Sequence, residues 1–251
     1  MTQQLVSVIV PVCNGTEYII EALASVASQP QRPVELIVVD DGSTDHTADT
    51  VHTFASSADL PVRYVYQANA GPAAARNHGL RLAAGEFIAF QDADDIWTTG
   101  RLALQTALLE QYPAAEFVLG KTCIFGADPG LVAAAGGGLD GEPRWFLGVQ
   151  CGLYRRHVFD KVGAFDALLR YNEDIDWFRR ACALDITNIA VAEVVLLHRR
   201  HPGNMTNDRG AVRTDLLRML RKQTVNHALH GESLVTALTR HTVTAHDMRL
   251  T

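Results

Sequence analysis

Short apolar segments alternate with helix-patterned stretches in the first half of the chain, and this alternation limits the fold more than any other feature. Four segments rich in β-branched or aromatic residues predict strands: Leu5–Val12, Val34–Val39, Val62–Tyr66 and Phe87–Phe90. The stretches between them repeat apolar residues at helical spacing. Strands that alternate with helices form right-handed βαβ units in a mostly parallel sheet. We therefore expect an α/β fold whose ligands bind beyond the carboxyl ends of the strands.

The second half of the chain has weaker patterns. Segment Asp128–Gly141 is rich in Gly and Ala without a clear period, and it predicts a mobile loop. Segments Gly148–Tyr154 and Ile186–Leu197 predict strands, whereas Asp174–Ala183 predicts a helix. Apolar residues at helical spacing from Val212 onward predict a helical tail.

Composition excludes several classes of protein. With 251 residues, 47% hydrophobic and 20% charged, the chain lies in the ordinary range of folded globular proteins. Its net charge of -6 provides no basic field that would bind nucleic acid. The four cysteines form no CxxC pair, which favours reduced thiols in a cytosol over a disulfide framework or a zinc site. Because there is no signal-type start and no run of about 18 apolar residues, we expect a cytoplasmic protein without a transmembrane segment. Peripheral contact at the inner face of the membrane stays open.

The strongest chemical signal is the acidic segment Asp92-Ala93-Asp94-Asp95, which follows the predicted strand Phe87–Phe90. Three carboxylates this close repel one another unless a cation or hydrogen-bond donors offset their charge. Mg²⁺ or Mn²⁺ would do so, because such ions take one or two protein carboxylates and complete their shell with phosphate oxygens and water. The alternative is a solvated acidic turn in which Asp95 caps the next helix. Spacing alone leaves both interpretations open.

Five motifs resemble, in this order, the inverting family 2 glycosyltransferases with the GT-A fold. They are VSVIVPVCN at Val6–Asn14, VVDDGSTD at Val38–Asp45, NAGPAAARN at Asn69–Asn77, FQDADD at Phe90–Asp95 and YNEDIDW at Tyr171–Trp177. Each motif alone is weak, but their order and spacing together are specific. The resemblance runs from about Val6 to Thr206. It implies a Rossmann-like, mostly parallel central sheet flanked by helices, with a smaller C-terminal region on the acceptor side.

The same resemblance divides the chain by function. It implies a nucleotide-sugar-binding half at 1–120, an acceptor-side half with the catalytic base at 121–210, and a helical tail at 211–251. The implied reaction moves a hexose-type sugar from a nucleoside-diphosphate-sugar to an acceptor hydroxyl. A UDP-sugar is the favoured donor, and the acceptor is a carbohydrate, a lipid-linked compound or another hydroxyl compound. The oligomeric state stays open.

For the nucleoside of the donor, the resemblance implies contacts from the loops after the first two strands. Pro11, Asn14 and Glu17 would lie near the ribose or the base, and Asp41 would accept from a base N–H. The alternative for Asp41 and its neighbour Asp40 is capping of the following helix. Cys13 stands where the family usually has Tyr, so a partner that could stack on the base is missing at this position.

The diphosphate of the donor would be held by a metal ion and by charged side chains from three segments. Asp92 and Asp94 resemble the family's DxD motif, with Asp94 as metal ligand and Asp92 as donor contact. His201, in the segment His198–Thr206, would complete the metal shell or touch phosphate; a surface turn with satisfied histidines is the alternative. Arg76 resembles the family arginine that reaches back to the nucleotide, and an ordinary ion pair is its alternative.

The acidic pair Glu173-Asp174 resembles the family's catalytic segment. Inverting transfer needs a carboxylate that takes the proton from the attacking hydroxyl, and the resemblance assigns this role to Asp174. A position at a helix N-terminus would favour the ionised carboxylate. The alternative is that Glu173, Asp174 and Asp176 are ordinary N-terminal helix charges.

Other nucleotide-binding enzymes fit the sequence less well. The first strand is not followed by GxGxxG, which dinucleotide-dependent oxidoreductases require, and the P-loop pattern GxxxxGK[ST] is absent. Two rivals remain, a nucleotidyltransferase and a catalytically idle nucleotide-sugar-binding protein. An idle protein would be expected to lack Asp94 or Asp174, and both are present.

Overall fold

The computed structural model describes residues 5–30, 34–126, 141–223, 233–240 and 242–243. Within these residues, nine strands form one sheet. The strands are β1 (Val6–Val12), β2 (Val34–Asp41), β3 (Val62–Gln67), β4 (Phe87–Phe90), β5 (Ile96–Trp97), β6 (Phe117–Phe125), β7 (Gly152–Arg155), β8 (Asn188–Arg199) and β9 (Thr242–Val243). The helices are α1 (Ile19–Ala27), α2 (Thr47–Ser57), α3 (Pro72–Leu82), α4 (Arg101–Gln111), α5 (Val158–Val162), α6 (Glu173–Ala183), α7 (Arg209–Gln223) and α8 (Leu234–Thr239).

The first four strands form the parallel part of the sheet. They pair in the order β3-β2-β1-β4, which confirms the predicted βαβ arrangement. Val12 lies opposite Asp40, and Ile9 lies opposite Phe90. Because the strands are parallel, the loops after β1, β2 and β4 leave the sheet at the same edge. The acidic residues follow the strands at this carboxyl edge, where the sequence predicted that a ligand would bind.

The rest of the sheet is mixed. Strand β7 pairs antiparallel with β4 and β6, and β6 pairs parallel with β8. Strand β5 pairs antiparallel with β8, and β9 pairs parallel with it. The antiparallel pairings are thus confined to β5 and β7, and the predicted α/β fold with a mostly parallel sheet is confirmed.

Apolar residues cover both faces of the sheet. On one face, α1 and α4 bury Ile19, Leu23, Val26, Leu102, Leu108 and Leu109. On the other face, α3 packs on β1 and β2, and Trp177 of α6 is fully buried among aromatic rings. Its ring centroid lies 5.5 Å from that of Tyr154 and 5.9 Å from that of Phe117. This packing fixes α6, and with it the acidic residues of its first turn, against the sheet.

The strand predicted at Gly148–Tyr154 is shorter in the structure. A 3₁₀ turn at Val149–Cys151 precedes β7. The buried guanidinium of Arg101 explains the change, because it donates to the carbonyl of Gln150 at 2.8 Å and to that of Gly152 at 3.2 Å. A side chain from α4 thus takes the place of strand pairing at this turn.

Two further differences concern the middle of the chain. We predicted no strand at β6, where Gly120 and Lys121 interrupt the apolar run and the register with β8 shifts. The mobile loop predicted at Asp128–Gly141 lies, except for Gly141, outside the described residues. Among the helices that the structure describes, none combines the length and apolar character needed to cross a membrane.

Replacing Gly79 by Ala should destabilise the protein, although this change usually stabilises a helix interior. An added Cβ on α3 would lie 2.3 Å from Ile9 Cγ2 in β1. Overpacking of this kind costs about 1–3 kcal/mol, which exceeds the gain of about 1 kcal/mol from Gly to Ala in a helix. Gly210→Ala in α7 is the matched control, because its nearest atom is Asp208 Oδ1 at 3.5 Å. Denaturant unfolding measures both, and a Gly79→Ala protein as stable as wild type would contradict this packing of α3 on β1.

Candidate functional site

Hydrogen bonds join the loops that follow β1 and β2. Asn14 has a left-handed backbone with a φ of 55°. Its N–H donates to Ser43 Oγ at 2.8 Å, and its Oδ1 accepts from the Thr44 N–H at 2.8 Å. Pro11 lies in β1, and Glu17 is exposed in the turn before α1. The structure thus places these three predicted nucleoside contacts at the carboxyl edge of the sheet, where Asn14 also holds two loops together.

The carboxylate of Asp41 is buried and holds the loop between β3 and α3. Its Oδ1 accepts from Gln67 Nε2 and from the Ala70 N–H, both at 2.8 Å, and its Oδ2 accepts from the Gly71 N–H at 2.8 Å. An ionised carboxylate offers about four acceptor sites. One site is therefore left for the predicted base N–H.

Neither Asp40 nor Asp41 caps α2, so the capping interpretation of this pair is wrong. Strand β2 continues through Asp41, and α2 begins only at Thr47. The Thr47 N–H donates to Asp45 Oδ1 at 3.0 Å. Asp40 instead accepts a hydrogen bond from the Tyr64 hydroxyl at 2.7 Å, which ties β2 to β3.

Arg76 connects the acidic segment to α6. Its guanidinium pairs with Asp92 Oδ1 at 2.8 Å and with Glu173 Oε1, and its side chain is only 7% exposed. The ion-pair interpretation therefore applies to both Nη atoms. Its Nε is buried and has no hydrogen-bond partner among the described residues. Because buried donors nearly always have a partner, the Arg76 Nε–H is a candidate donor to a bound ligand.

Asp94 and His201, the two predicted metal ligands, are in direct contact. His201 Nε2 lies 2.9 Å from Asp94 Oδ2. Asn204 Nδ2 donates to the same oxygen at 2.9 Å. The segment that follows β8 thus lies on the acidic segment. Asn204 was not singled out from the sequence, although its position three residues after His201 was a usable signal.

The side chains around Asp94 suit a hard divalent ion only if other ligands join them. Asp94 and His201 offer one carboxylate and one imidazole, with Asp92 nearby on the same segment. Within the described residues, no group of three or more His, Cys, Asp or Glu side chains is arranged to hold a metal on its own. Mg²⁺ binds in this manner, with few protein ligands and the remainder from phosphates and water. The residues present therefore fit an ion that a diphosphate brings with it.

Asp95 is not a helix cap, which corrects the second interpretation of the acidic segment. Helix α4 begins only at Arg101, and the fully buried carboxylate of Asp95 accepts from the Arg199 N–H at 2.8 Å. His198 Nδ1 lies 3.1 Å from the same carboxylate. Burial lowers the pKa of His198, but the nearby carboxylate of Asp95 raises this pKa by more. The pKa of His198 is therefore raised to about 9. Burial also raises the pKa of Asp95, to about 6. The two groups therefore form an ion pair at neutral pH that ties β8 to the acidic segment.

Asp174 lies in the first turn of α6 and is partly buried. Its Oδ1 accepts from the Ile175 N–H at 2.7 Å. Burial, and after it the charge of Glu173, raise the pKa of Asp174 to about 7. These two effects on the pKa are larger than the opposite effect of the helix N-terminus, which we expected to keep the carboxylate ionised.

The other two acidic residues of this turn have basic partners. Glu173 pairs with Arg76, and Asp176 Oδ2 lies 2.9 Å from Arg180 Nε. The interpretation as ordinary helix charges therefore suits Glu173 and Asp176. Asp174 forms no ion pair with any residue that the structure describes.

Comparison with known sequences identifies a family. The family model named Glycosyl transferase family 2 matches residues 7–132, about half of the chain. A protein of Rickettsia felis named an uncharacterized glycosyltransferase is 41% identical over 106 residues, which are 42% of this chain and 17% of that protein. The chain therefore spans only a small part of the length of this relative.

Solved structures share the fold. Staphylococcus aureus TarS 1-349 in complex with UDP covers 84% of this chain and 65% of its own, with 25% identity and a TM-score of 0.61. The mannosyltransferase PcManGT from Pyrobaculum calidifontis, in complex with GDP-Man and Mn²⁺, covers 89% of this chain and 65% of its own, with 20% identity and a TM-score of 0.69. The predicted GT-A fold is confirmed. Since the matched residues contain β2 to β6, all of β1 except Val6, and the whole acidic segment, the chain belongs to glycosyltransferase family 2.

Proposed function

We propose that this protein transfers a hexose-type sugar from a nucleoside-diphosphate-sugar to an acceptor hydroxyl, with inversion at the anomeric carbon. The observation that carries the proposal is the bridge made by Arg76, which pairs with both Asp92 and Glu173. Asp92 belongs to the same segment as Asp94, and Glu173 directly precedes Asp174. One buried side chain thus fixes the diphosphate side of the site relative to the base, as a displacement reaction requires.

The donor is a nucleotide sugar, and a UDP-sugar is favoured. TarS, at 25% identity, was solved with UDP, and PcManGT was solved with GDP-Man and Mn²⁺. In this chain, Pro11, Asn14, Glu17 and Asp41 border the place for the nucleoside. A phosphate oxygen at Arg76 Nε would satisfy the buried N–H that lacks a partner among the described residues.

Asp94 and His201 would hold the Mn²⁺ or Mg²⁺ ion, and Asp92 would contact the donor. When bound, such an ion offsets the charge that develops on the departing diphosphate. Asn204 and His201 both contact Oδ2 of Asp94 and so fix the orientation of its carboxylate.

Asp174 acts as the general base. It takes the proton of the acceptor hydroxyl while the hydroxyl oxygen forms a bond to the anomeric carbon. The bond between that carbon and the diphosphate oxygen breaks, and the nucleoside diphosphate leaves with the bonding electrons. Because the acceptor attacks from the face opposite the leaving group, the configuration inverts. A pKa of about 7 suits a base that works near neutral pH.

A screen of UDP-, GDP- and dTDP-sugars, with and without Mn²⁺, tests this function in the wild-type protein. We expect metal-dependent binding and slow release of the nucleoside diphosphate with water as acceptor. Release of pyrophosphate from a nucleoside triphosphate and a sugar phosphate would favour a nucleotidyltransferase. Binding without any cleavage, even when acceptors are offered, would favour an idle binding protein. If no nucleoside diphosphate binds in the presence of Mn²⁺, the proposal is wrong.

The rate of donor cleavage should fall as the pH drops through about 7, because Asp174 must be unprotonated to act as base. Burial raises the pKa of this carboxyl most; Glu173 and Asp92 raise it further, and Arg76 lowers it. Glu173→Gln removes a like charge, so the acidic limb of the pH–rate profile should move to lower pH, even though the maximal rate also falls. Asp176→Asn is the matched control in the same turn. The acidic limb of its pH–rate profile should lie at the same pH as in wild type. An unmoved limb in Glu173→Gln would contradict this account.

A further inference from the structure

Helix α7 contacts the segment that leads into α6. Asp215, on α7, is 3% exposed. Its Oδ2 accepts from the Arg170 N–H at 2.8 Å and from the Tyr171 N–H at 3.1 Å. Asn172 Nδ2 donates to the carbonyl oxygen of Val212, also on α7, at 3.1 Å. Three hydrogen bonds thus join one helix to three consecutive residues that directly precede α6.

The held segment has an uncommon backbone conformation. Asn172 has a φ of 60°, in the left-handed region that residues other than Gly seldom adopt. Asn takes this conformation more readily than other residues with a side chain, and here a hydrogen bond from its side chain to α7 holds it in place. Asn172 is also the residue from which α6 starts, since its carbonyl accepts from the Asp176 N–H at 2.9 Å. The direction of the first turn of α6, which carries Asp174, is therefore set where α7 makes its contacts.

The charge of Asp215 has a second partner on the solvent side. Its Oδ1 lies 2.7 Å from Arg218 Nη1, and the Arg218 side chain is 62% exposed. Because the Arg218 end of this pair is exposed to solvent, the pair contributes little to stability. Oδ2 of Asp215 therefore makes the contacts with the segment before α6, whereas Arg218 can be removed without affecting them.

We propose that Asp215 is a positioning residue for Asp174. By binding the backbone of Arg170 and Tyr171, it holds the left-handed turn at Asn172 and so fixes the direction from which Asp174 meets the acceptor hydroxyl. This inference rests on the proposed function of Asp174 as base. It assigns a role in the reaction to a helix outside residues 7–132, the part of the chain that matches the family model.

The first test compares kcat with the KM for the donor in Asp215→Ala, Asp215→Asn and Arg218→Ala. Misplacement of a catalytic group by about 1 Å can cost about 100-fold in rate. We expect Asp215→Ala to lower kcat about 10- to 100-fold, with the donor KM unchanged within about twofold, because the proposed donor contacts lie elsewhere. Asp215→Asn keeps an acceptor oxygen and should recover most of the rate, and Arg218→Ala should match wild type. An unchanged kcat in Asp215→Ala, or an equal loss in Arg218→Ala, would overturn the proposal.

The second test needs no turnover. Hydrogen exchange of the Ile175 amide, which donates to Asp174 Oδ1, reports the orientation of that carboxylate. In Asp215→Ala, exchange should become faster at Arg170, Tyr171 and Ile175 and stay unchanged in β1 to β4. Unchanged exchange at Ile175 would overturn the positioning role. Faster exchange there, in a protein that cleaves no nucleotide sugar, would uphold the positioning and reject the proposed function instead.

Discussion

Asp174→Asn should lower the rate of sugar transfer by about 100- to 10,000-fold and leave the affinity for the donor nearly unchanged. The substitution keeps the size of the side chain and the oxygen that can accept from the Ile175 N–H. It removes the carboxylate that we propose as the acceptor of the proton from the attacking hydroxyl. Initial rates of nucleoside diphosphate release give the loss in kcat, and titration calorimetry with UDP and Mn²⁺ gives the affinity.

The matched control for this prediction is Asp176→Asn in the same turn of α6. Asp176 pairs with Arg180, so its loss affects the helix without removing the proposed base. We expect a change of less than about fivefold in its transfer rate, because asparagine keeps an oxygen that can accept from Arg180 and the proposed base stays in place. If Asp174→Asn keeps wild-type activity, Asp174 is not the base. If both variants lose activity equally, the effect belongs to the helix and not to the carboxylate.

Asp94→Asn should remove most of the effect of Mn²⁺ on nucleotide binding and lower the transfer rate by more than about 100-fold. A divalent ion contributes several kcal/mol of charge stabilisation in reactions of this kind, and a neutral amide is a poor ligand for it. His201→Ala should weaken the same dependence by a smaller factor, because the diphosphate and water can replace one ligand. Calorimetric titration of UDP at several Mn²⁺ concentrations measures the dependence directly.

Asp49→Asn in α2 controls for the loss of a negative charge. Its side chain is 84% exposed and pairs only loosely with His46 at 3.5 Å. We expect it to keep the Mn²⁺ dependence of wild type. Should Asp94→Asn bind UDP with an unchanged Mn²⁺ dependence, Asp94 would be excluded as the metal ligand, and the acidic segment would need another explanation.

The first half of the fold could be predicted because its strands are short, apolar and followed by turn residues. Strand β4 has the predicted bounds, and the acidic segment lies at the predicted edge of the sheet. Strand β6 could not be predicted, because its pairing with β8 includes register shifts at Gly120 and Lys121. A strand of this kind has no local pattern of apolar residues from which it could be predicted.

The partners of the acidic residues could not be predicted from local sequence either. One interpretation of Asp95 was that it caps the helix that follows it. Its partners are instead His198 and the Arg199 amide, more than 100 positions away in the chain. Asp215 in the tail, which binds the backbone before α6, showed no chemical motif at all. Local spacing predicts which residues stand at the end of a strand, and only the tertiary fold decides what each of them contacts.

The anomeric configuration of the product tests the central claim most directly. Donor with an α-linked sugar is incubated with wild-type protein and Mn²⁺, and early ¹H NMR spectra are recorded before the released sugar equilibrates. A single displacement assisted by Asp174 predicts the β-anomer as the first product. The α-anomer as first product would contradict the account, because retention requires a different mechanism from the one assigned to Asp174.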